Sequence, residues 1–329
     1  MRDAFDLEDH GPAYETRRRP PMLGRMSVFV IGVVLGIVIG AGCGVVGWSL
    51  AGADSERPAF ALPGLKTSRP APKAAAKKTS VTLAAQPSQT LNIAPGKPVI
   101  VGVFGDSMGD GLWQGLYRRL EGDKTYRIVR FSQASTGFTR YGYVNVQDHT
   151  AEQLSGQHID VAVICFGAND EQPIADAGQL YPFESDGWRQ VYAARIDALV
   201  SLLRRQGAAV YWVGLPKMKH AEYDRRAGVL NALYEERARA LGVPFVDTVP
   251  VTIDPRGAYD DYLVEGGHPR LMRAKDGIHM TPSGYLRLAG PVTELLKSDV
   301  ARTLAGAKAA SGAAVTLAAG PPAFAPPSP

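Results

Sequence analysis

The sequence predicts an α/β domain, a three-layer α/β/α sandwich around a mostly parallel five-stranded sheet, preceded by one transmembrane helix. Three observations carry that expectation. Short apolar runs with little polar alternation recur between longer amphipathic stretches, the pattern of parallel strands buried on both faces and of the helices that cover them. Residues Met26 to Ala53 include no charged side chain. Composition is also uneven along the 329 residues, whose formal net charge is +4, and only the middle of the chain reads as densely folded.

Residues 1–25 form a polar leader and 26–50 the predicted transmembrane helix. At 1.5 Å of rise per residue the uncharged run crosses a hydrocarbon layer of about 30 Å with some tilt. Arg17, Arg18, Arg19 and Arg25 precede it, and Asp54 and Glu56 follow. That bias places the N-terminus in the cytoplasm and everything after about residue 54 outside. A cleaved signal peptide shares several of these marks, and Gly40-Ala41-Gly42-Cys43 loosely matches a lipoprotein cleavage box that lacks its leucine-like residue. The long leader and the long apolar run favour an uncleaved anchor. Gly32, Gly36, Gly40 and Gly44 fall on one helical stripe, which suits a homodimer contact or a plain anchor equally.

Residues 51–96, rich in Ala, Pro, Ser, Thr and Lys, read as a disordered, semi-extended tether. Residues 97–300 read as the folded domain, and the Ala/Gly/Pro-rich residues 301–329 as a disordered tail. Within the domain, Pro98 to Phe104, Tyr126 to Phe131, Ile159 to Phe166, Ala208 to Val213 and Pro244 to Val246 are the expected strands. The expected helices are Gly109 to Leu120, Trp188 to Gln206, Ala221 to Leu241 and Pro282 to Leu296. In Trp188 to Gln206, Val191, Ala194, Ile196, Leu199, Leu202 and Leu203 form an apolar face opposite Arg189, Arg195, Arg204 and Arg205. Cys43 and Cys165 lie in the membrane run and in a strand, so they neither bridge nor form a zinc cluster.

Three motifs carry chemistry. Gly105-Asp106-Ser107 follows the first strand, where ligands of parallel α/β sheets bind. A serine hydroxyl there needs a base to become a nucleophile, and helix-start N–H groups can hold developing negative charge. Asp276-Gly277-Ile278-His279 offers that base, with a carboxylate three residues before it and a glycine that lets the turn fold back. Gly167-Ala168-Asn169-Asp170 follows the third strand, so the Asn169 amide can join the backbone N–H groups of Ser107 and Gly137 around an oxyanion. Asp170 reads mainly as a loop-fixing residue.

These blocks resemble the SGNH hydrolases, also called the GDSL esterase/lipase superfamily, and more narrowly the membrane-tethered bacterial DUF459 family. The resemblance covers residues 97–298. It implies Ser107 as nucleophile, Gly137 in Ser135-Thr136-Gly137 and Asn169 as oxyanion donors, and Asp276 and His279 as the orienting acid and the base, with no metal or cofactor. The first block reads Gly-Asp-Ser-Met in place of the more usual Gly-Asp-Ser-Leu, an exchange of apolar residues.

The substrate side is less marked. Asp106, Asp170, Tyr181, His268 and Arg270 are candidate substrate-binding residues: Tyr181 and Phe183 for stacking on a sugar, and His268 and Arg270, with Arg273 and Lys275, for an anionic group. The leading expectation is a serine esterase that removes short, acetyl-like groups from a cell-envelope glycan. Its rivals are an O-acyltransferase acting on a periplasmic or surface polysaccharide and a non-catalytic glycan-binding scaffold. A metal-dependent nuclease would leave Ser107, Asn169 and His279 without roles. Nucleic acid is not an expected partner, because the positive charge lies largely in the leader and tether and no basic–aromatic motif accompanies it.

Overall fold

The computed structural model describes residues 87–94 and 96–318, with side chains to residue 309. The leader, the expected transmembrane helix with its glycine stripe, and most of the tether lie outside the described residues. Among the described residues no helix is long and apolar enough to cross a membrane.

Five strands, β1 (Val99–Gly105), β2 (Tyr126–Arg130), β3 (Val161–Cys165), β6 (Ala209–Val213) and β7 (Phe245–Val246), form one sheet in the order β2-β1-β3-β6-β7. Every pairing in it is parallel. All five residues of β3, Val-Ala-Val-Ile-Cys, are buried, as a central strand covered on both faces requires. The main helices are α1 (Ser107–Leu120), α2 (Val146–Gln153), α3 (Asp186–Arg205), α4 (Ala221–Leu241), α6 (Pro282–Leu288) and α7 (Gly290–Ala318); the short α5 (Val249–Thr252) precedes α6. α1 packs with α6 and α7, while α3 packs with α2 and α4. These two helical layers flank the sheet, as the alternation of strand and helix patterns predicts.

The strand order reverses direction between β1 and β3, and such a switch point opens a crevice at the carboxyl ends of the two strands. The last register pair between them is Gly105 with Cys165. Asp106-Ser107 and Phe166 to Asn169 therefore leave the sheet side by side.

Several expectations need correction. The first helix begins at Ser107 and not near Gly109, because Asp106 caps it by accepting the Met108 N–H at 2.8 Å. The single helix expected over Pro282 to Leu296 is two: Pro291 has no N–H for the Arg287 carbonyl, and the chain turns at Ala289. The tail expected to lack structure from 301 instead continues α7 to Ala318, in keeping with the high helix propensity of its many alanines. At the other end, the domain starts before residue 97. Leu91 is buried, Ile93 packs on the core, and the Gln89 and Leu91 N–H groups donate to Asp299 Oδ2 and Thr303 Oγ1.

Outside the expected strands and helices the chain forms two antiparallel hairpins, β4 (Ile174–Asp176) with β5 (Gln179–Tyr181), and β8 (Tyr262–Glu265) with β9 (His268–Leu271). Gly266 and Gly267 turn the second, with φ of 60° and 84°, the left-handed pair that a tight two-residue hairpin turn demands.

Candidate active site

Two buried carboxylates build the crevice between β1 and β3. Asp106, fully buried, accepts from Met108 N with Oδ1 and from Gly167 N and Ala168 N with Oδ2, at 3.0 and 2.9 Å. It ties the turn that carries Ser107 to the turn that carries Asn169. Burial pushes its carboxyl up to about 7 against the Met108 N–H, with Asp170 adding to the rise and the Gly167 and Ala168 N–H groups opposing it. Asp170, also fully buried, accepts from Phe138 N, from Thr139 N and Oγ1, and from the Tyr192 hydroxyl. Burial raises this carboxyl too, against those same donors.

His279 stands over the first turn of α1. Its Nε2 lies 2.8 Å from Ser107 Oγ and its Nδ1 lies 2.7 Å from Asp276 Oδ2. The other Asp276 oxygen accepts the N–H groups of Ile278 and His279, both at 2.9 Å. Burial works to raise the Asp276 carboxyl, but the His279 ring and those two N–H groups outweigh it and hold the group below its ordinary value. An ionised Asp276 can only accept, so Nδ1 carries the proton and Nε2 presents its lone pair to the Ser107 hydroxyl.

Three donors near the carboxyl ends of β1 and β3 keep hydrogens unused by the described residues. The N–H of Ser107, first residue of α1, has no carbonyl within its own helix to meet. The N–H of the buried Gly137 has no acceptor within the described residues. Asn169 Nδ2 donates one hydrogen to Thr136 O at 2.9 Å and keeps a second. Asp170 fixes the turn that follows Gly137, and a Cβ at residue 137 would stand 2.4 Å from Asp170 Oδ1, so only glycine fits.

The family described as "Protein of unknown function (DUF459)" matches residues 100–295. The chain belongs to this family. Similar solved structures include a GDSL-like lipase from Bacteroides thetaiotaomicron, with 16% identity over 63% of this chain and 93% of that one and a TM-score of 0.44. They also include the native aryl esterase of M. smegmatis, with 16% identity over 61% of this chain and 99% of that one, at 0.43. A third is the periplasmic domain of a lipopolysaccharide acetyltransferase from Salmonella ser. Paratyphi A, with 10% identity over 60% of this chain and 84% of that one, at 0.45. No curated protein matches the chain.

In this DUF459 domain, Ser107, His279 and Asp276 form one chain of contacts, and Asn169 and Gly137 meet at Thr136-Gly137. The five residues expected to bind substrate stand otherwise. Asp106 and Asp170 spend their oxygens on protein donors inside the fold. Tyr181 is pressed against Gly187, where a Cβ would meet its ring at 2.2 Å, and nearby Phe183 packs edge-on to the buried Trp188. These rings form a local core. His268 and Arg270 lie on the exposed β8–β9 hairpin, where Arg270 faces Glu265 at 3.9 Å, and neither contacts the Ser107–His279–Asp276 chain.

Four residues of the site's frame carry no sequence signal as such. Arg195, expected on a solvated face, is buried and donates to Phe138 O, Ala175 O and Asp176. Arg273, expected with His268 and Arg270 to meet an anionic group, is buried against the Asp276 turn. The Tyr223 hydroxyl donates to Ala168 O at 2.7 Å, and Lys219 N donates to Gly277 O at 3.1 Å. The fold brings each from a separate element.

Proposed function

We propose that this domain is a serine esterase that works through an acyl-enzyme. The observation that carries the proposal is the continuous contact from Ser107 Oγ through the His279 ring to Asp276, 2.8 and 2.7 Å at its two steps. His279 Nε2 takes the Ser107 proton as Oγ attacks an ester carbonyl carbon. The carbonyl oxygen gains negative charge and is met by Ser107 N–H, Gly137 N–H and the free hydrogen of Asn169 Nδ2. Protonated His279 then gives its Nε2 proton to the departing alkoxide, leaving the acyl group on Ser107. Water, deprotonated by the same nitrogen, releases the acid.

The proposed substrate is a short acyl ester on a polar alcohol, an acetylated cell-envelope glycan. Supporting it are the uncharged run from Met26 to Ala53 behind an arginine-rich leader, which suits export, and the polar exposed residues near the catalytic blocks, including Gln172, Lys219, His220 and Lys275. Tyr181 gives no support, since its ring is engaged by the protein.

The test uses the purified full-length chain with short-chain aryl esters and a serine-reactive phosphonate, beside Ser107→Ala. Turnover and covalent mass on Ser107, both lost in the variant, are expected. A folded protein with neither would overturn the proposal. Addition of an acetylated polysaccharide and a hydroxyl acceptor then separates hydrolysis from acyl transfer by the product released.

A further inference from the structure

We infer that Arg273 is a positioning residue that sets the geometry of the Asp276–His279 pair, an inference that rests on the catalytic reading of Ser107, His279 and Asp276. Arg273 is 2% exposed, the one arginine among the largest fully buried side chains of the described residues. Its Nη2 donates to Gly277 O at 3.0 Å and to Ile278 O at 3.2 Å. Gly277 and Ile278 are the two residues between the acid and the base. One guanidinium nitrogen therefore gathers both carbonyls of the turn on which the Asp276–His279 contact depends.

The surroundings hold this guanidinium from several sides. Its carbon lies 5.0 Å from the centroid of the Tyr259 ring, and Nη2 is 3.6 Å from Met218 Sδ. The Arg273 backbone bridges Met280 across the loop, Ala274 N donates to His279 O, and Thr281 N donates to Met272 O. Lys219 N adds a second donor to Gly277 O. The ends of the loop are thus closed by backbone pairing, and its tip is held by Arg273 and Lys219.

Stability alone does not account for such a residue. Burial lowers the guanidinium's proton affinity against the opposing Tyr259 hydroxyl, its Nε and Nη1 meet no acceptor of good geometry among the described residues, and an apolar side chain of similar volume would avoid the cost of desolvating a cation. The arginine adds a planar donor that draws two carbonyls to one point, which no apolar side chain can do. A turn so fixed keeps Asp276 Oδ2 on the Nδ1 side of His279 and Nε2 on the Ser107 side.

The experiment compares the full-length wild type with Arg273→Met and Arg273→Lys by thermal unfolding, aryl acetate kinetics and the downfield proton resonance of His279 Nδ1–H. In Arg273→Met, below its melting transition, kcat is expected to fall about 10- to 100-fold with KM changed no more than about twofold, the signature of lost alignment. The resonance is expected to vanish or broaden. Arg273→Lys, whose ammonium reaches one carbonyl, should recover part of both. Folded variants with wild-type kcat and an unchanged resonance would overturn the inference. Should Arg273→Met not fold, Arg273→Lys decides on the same two readouts. If the wild type shows no turnover, the esterase reading fails separately: loss of the resonance in the variants still sustains the positioning role, and its persistence overturns it.

Discussion

Gly137 shows how little room single side chains leave at this site. Its added Cβ would collide with Asp170 Oδ1, and Asp170 cannot retreat because Phe138, Thr139 and Tyr192 hold both its oxygens. Gly137→Ala must then shift the backbone N–H proposed to meet the oxyanion, and kcat should fall about 10²- to 10³-fold, the loss of one such donor, with KM little changed. Unchanged kcat in steady-state assays would remove Gly137 from the donor set. Asp106 gives a test in pH. Its folded-state carboxyl, at about 7, lies above the ordinary value of 3.8, so the folded protein binds the extra proton and stability falls as pH rises through that window. The cost is absent below about pH 4 and complete above about pH 7, on the order of a few kcal/mol. Asp106→Asn leaves the Gly167 and Ala168 N–H groups poorly met and should be less stable at neutral pH, yet lose less stability between pH 4.5 and 7.5 in denaturant titrations. A pH slope equal to that of the wild type would refute this. Ser107 and Asn169 stand out in the sequence as candidates because each follows an apolar strand, and Asp276 and His279 because a carboxylate three residues before a histidine, with a glycine between them, suits the same chemistry. The work of Asp106 and Asp170 is not legible there, because a carboxylate facing substrate and one buried under N–H donors are spelled alike.

Secondary-structure elements reach the site through a few long side chains. Arg195, on the helix Asp186–Arg205, donates to Phe138 O beside Gly137 and to Ala175 O and Asp176 on the β4–β5 hairpin, with its guanidinium carbon 3.9 Å from the centroid of the Tyr141 ring. One residue joins a sheet-covering helix, a hairpin and the turn that follows Gly137. Arg195→Met keeps the buried stem and strips those carbonyls of their donors, at a cost of about 1–3 kcal/mol. Faster amide exchange over 174–181 should accompany the loss, while protection in β3 persists; uniform exchange across the domain would mean that the arginine supports no local unit. The helical periodicity places Ile196, Leu199 and Leu203 on the buried face, but Ala194 of the expected apolar face is exposed, Val191 and Leu202 are half-buried, and Arg195 shares the buried face with Trp188, Tyr192 and Val200 because the hairpin covers it. Gly266-Gly267 between Tyr262–Glu265 and His268–Leu271 does carry a hairpin signal. Charged and polar residues within these short strands mask it, because an exposed hairpin needs no apolar run. The strands β1, β3 and β6 are buried on both sides along nearly their whole length and stand out for the opposite reason.

At the scale of the whole domain, the entering chain and the crevice that holds Ser107 lie at opposite ends of the sheet. Gln89 Nε2 donates to Gly242 O, just before β7 begins, whereas Ser107 follows the last residue of β1. The seven residues of β1 span about 20 Å between the two ends. Leu91 is buried and its N–H meets Thr303 on the last helix, so residues before 97 belong to the core even though their neighbours in sequence read as tether. The composition of 51–96 conceals this, because a single leucine and a single isoleucine near its end do not alter an Ala/Pro/Lys average. Leu91→Ala removes a buried side chain at the edge of the core and should destabilise the domain by about 2–4 kcal/mol. Since no contact of Leu91 reaches the crevice, kcat/KM for an aryl ester should stay within about twofold of wild type below the melting transition, where a shift in catalytic geometry would cost far more. A drop in melting temperature with intact kcat/KM would establish that the entry segment supports the fold at the end remote from the chemistry. An unchanged melting temperature would return residues 87–94 to the tether, and a parallel loss of kcat/KM would mean that the two ends of the sheet are coupled.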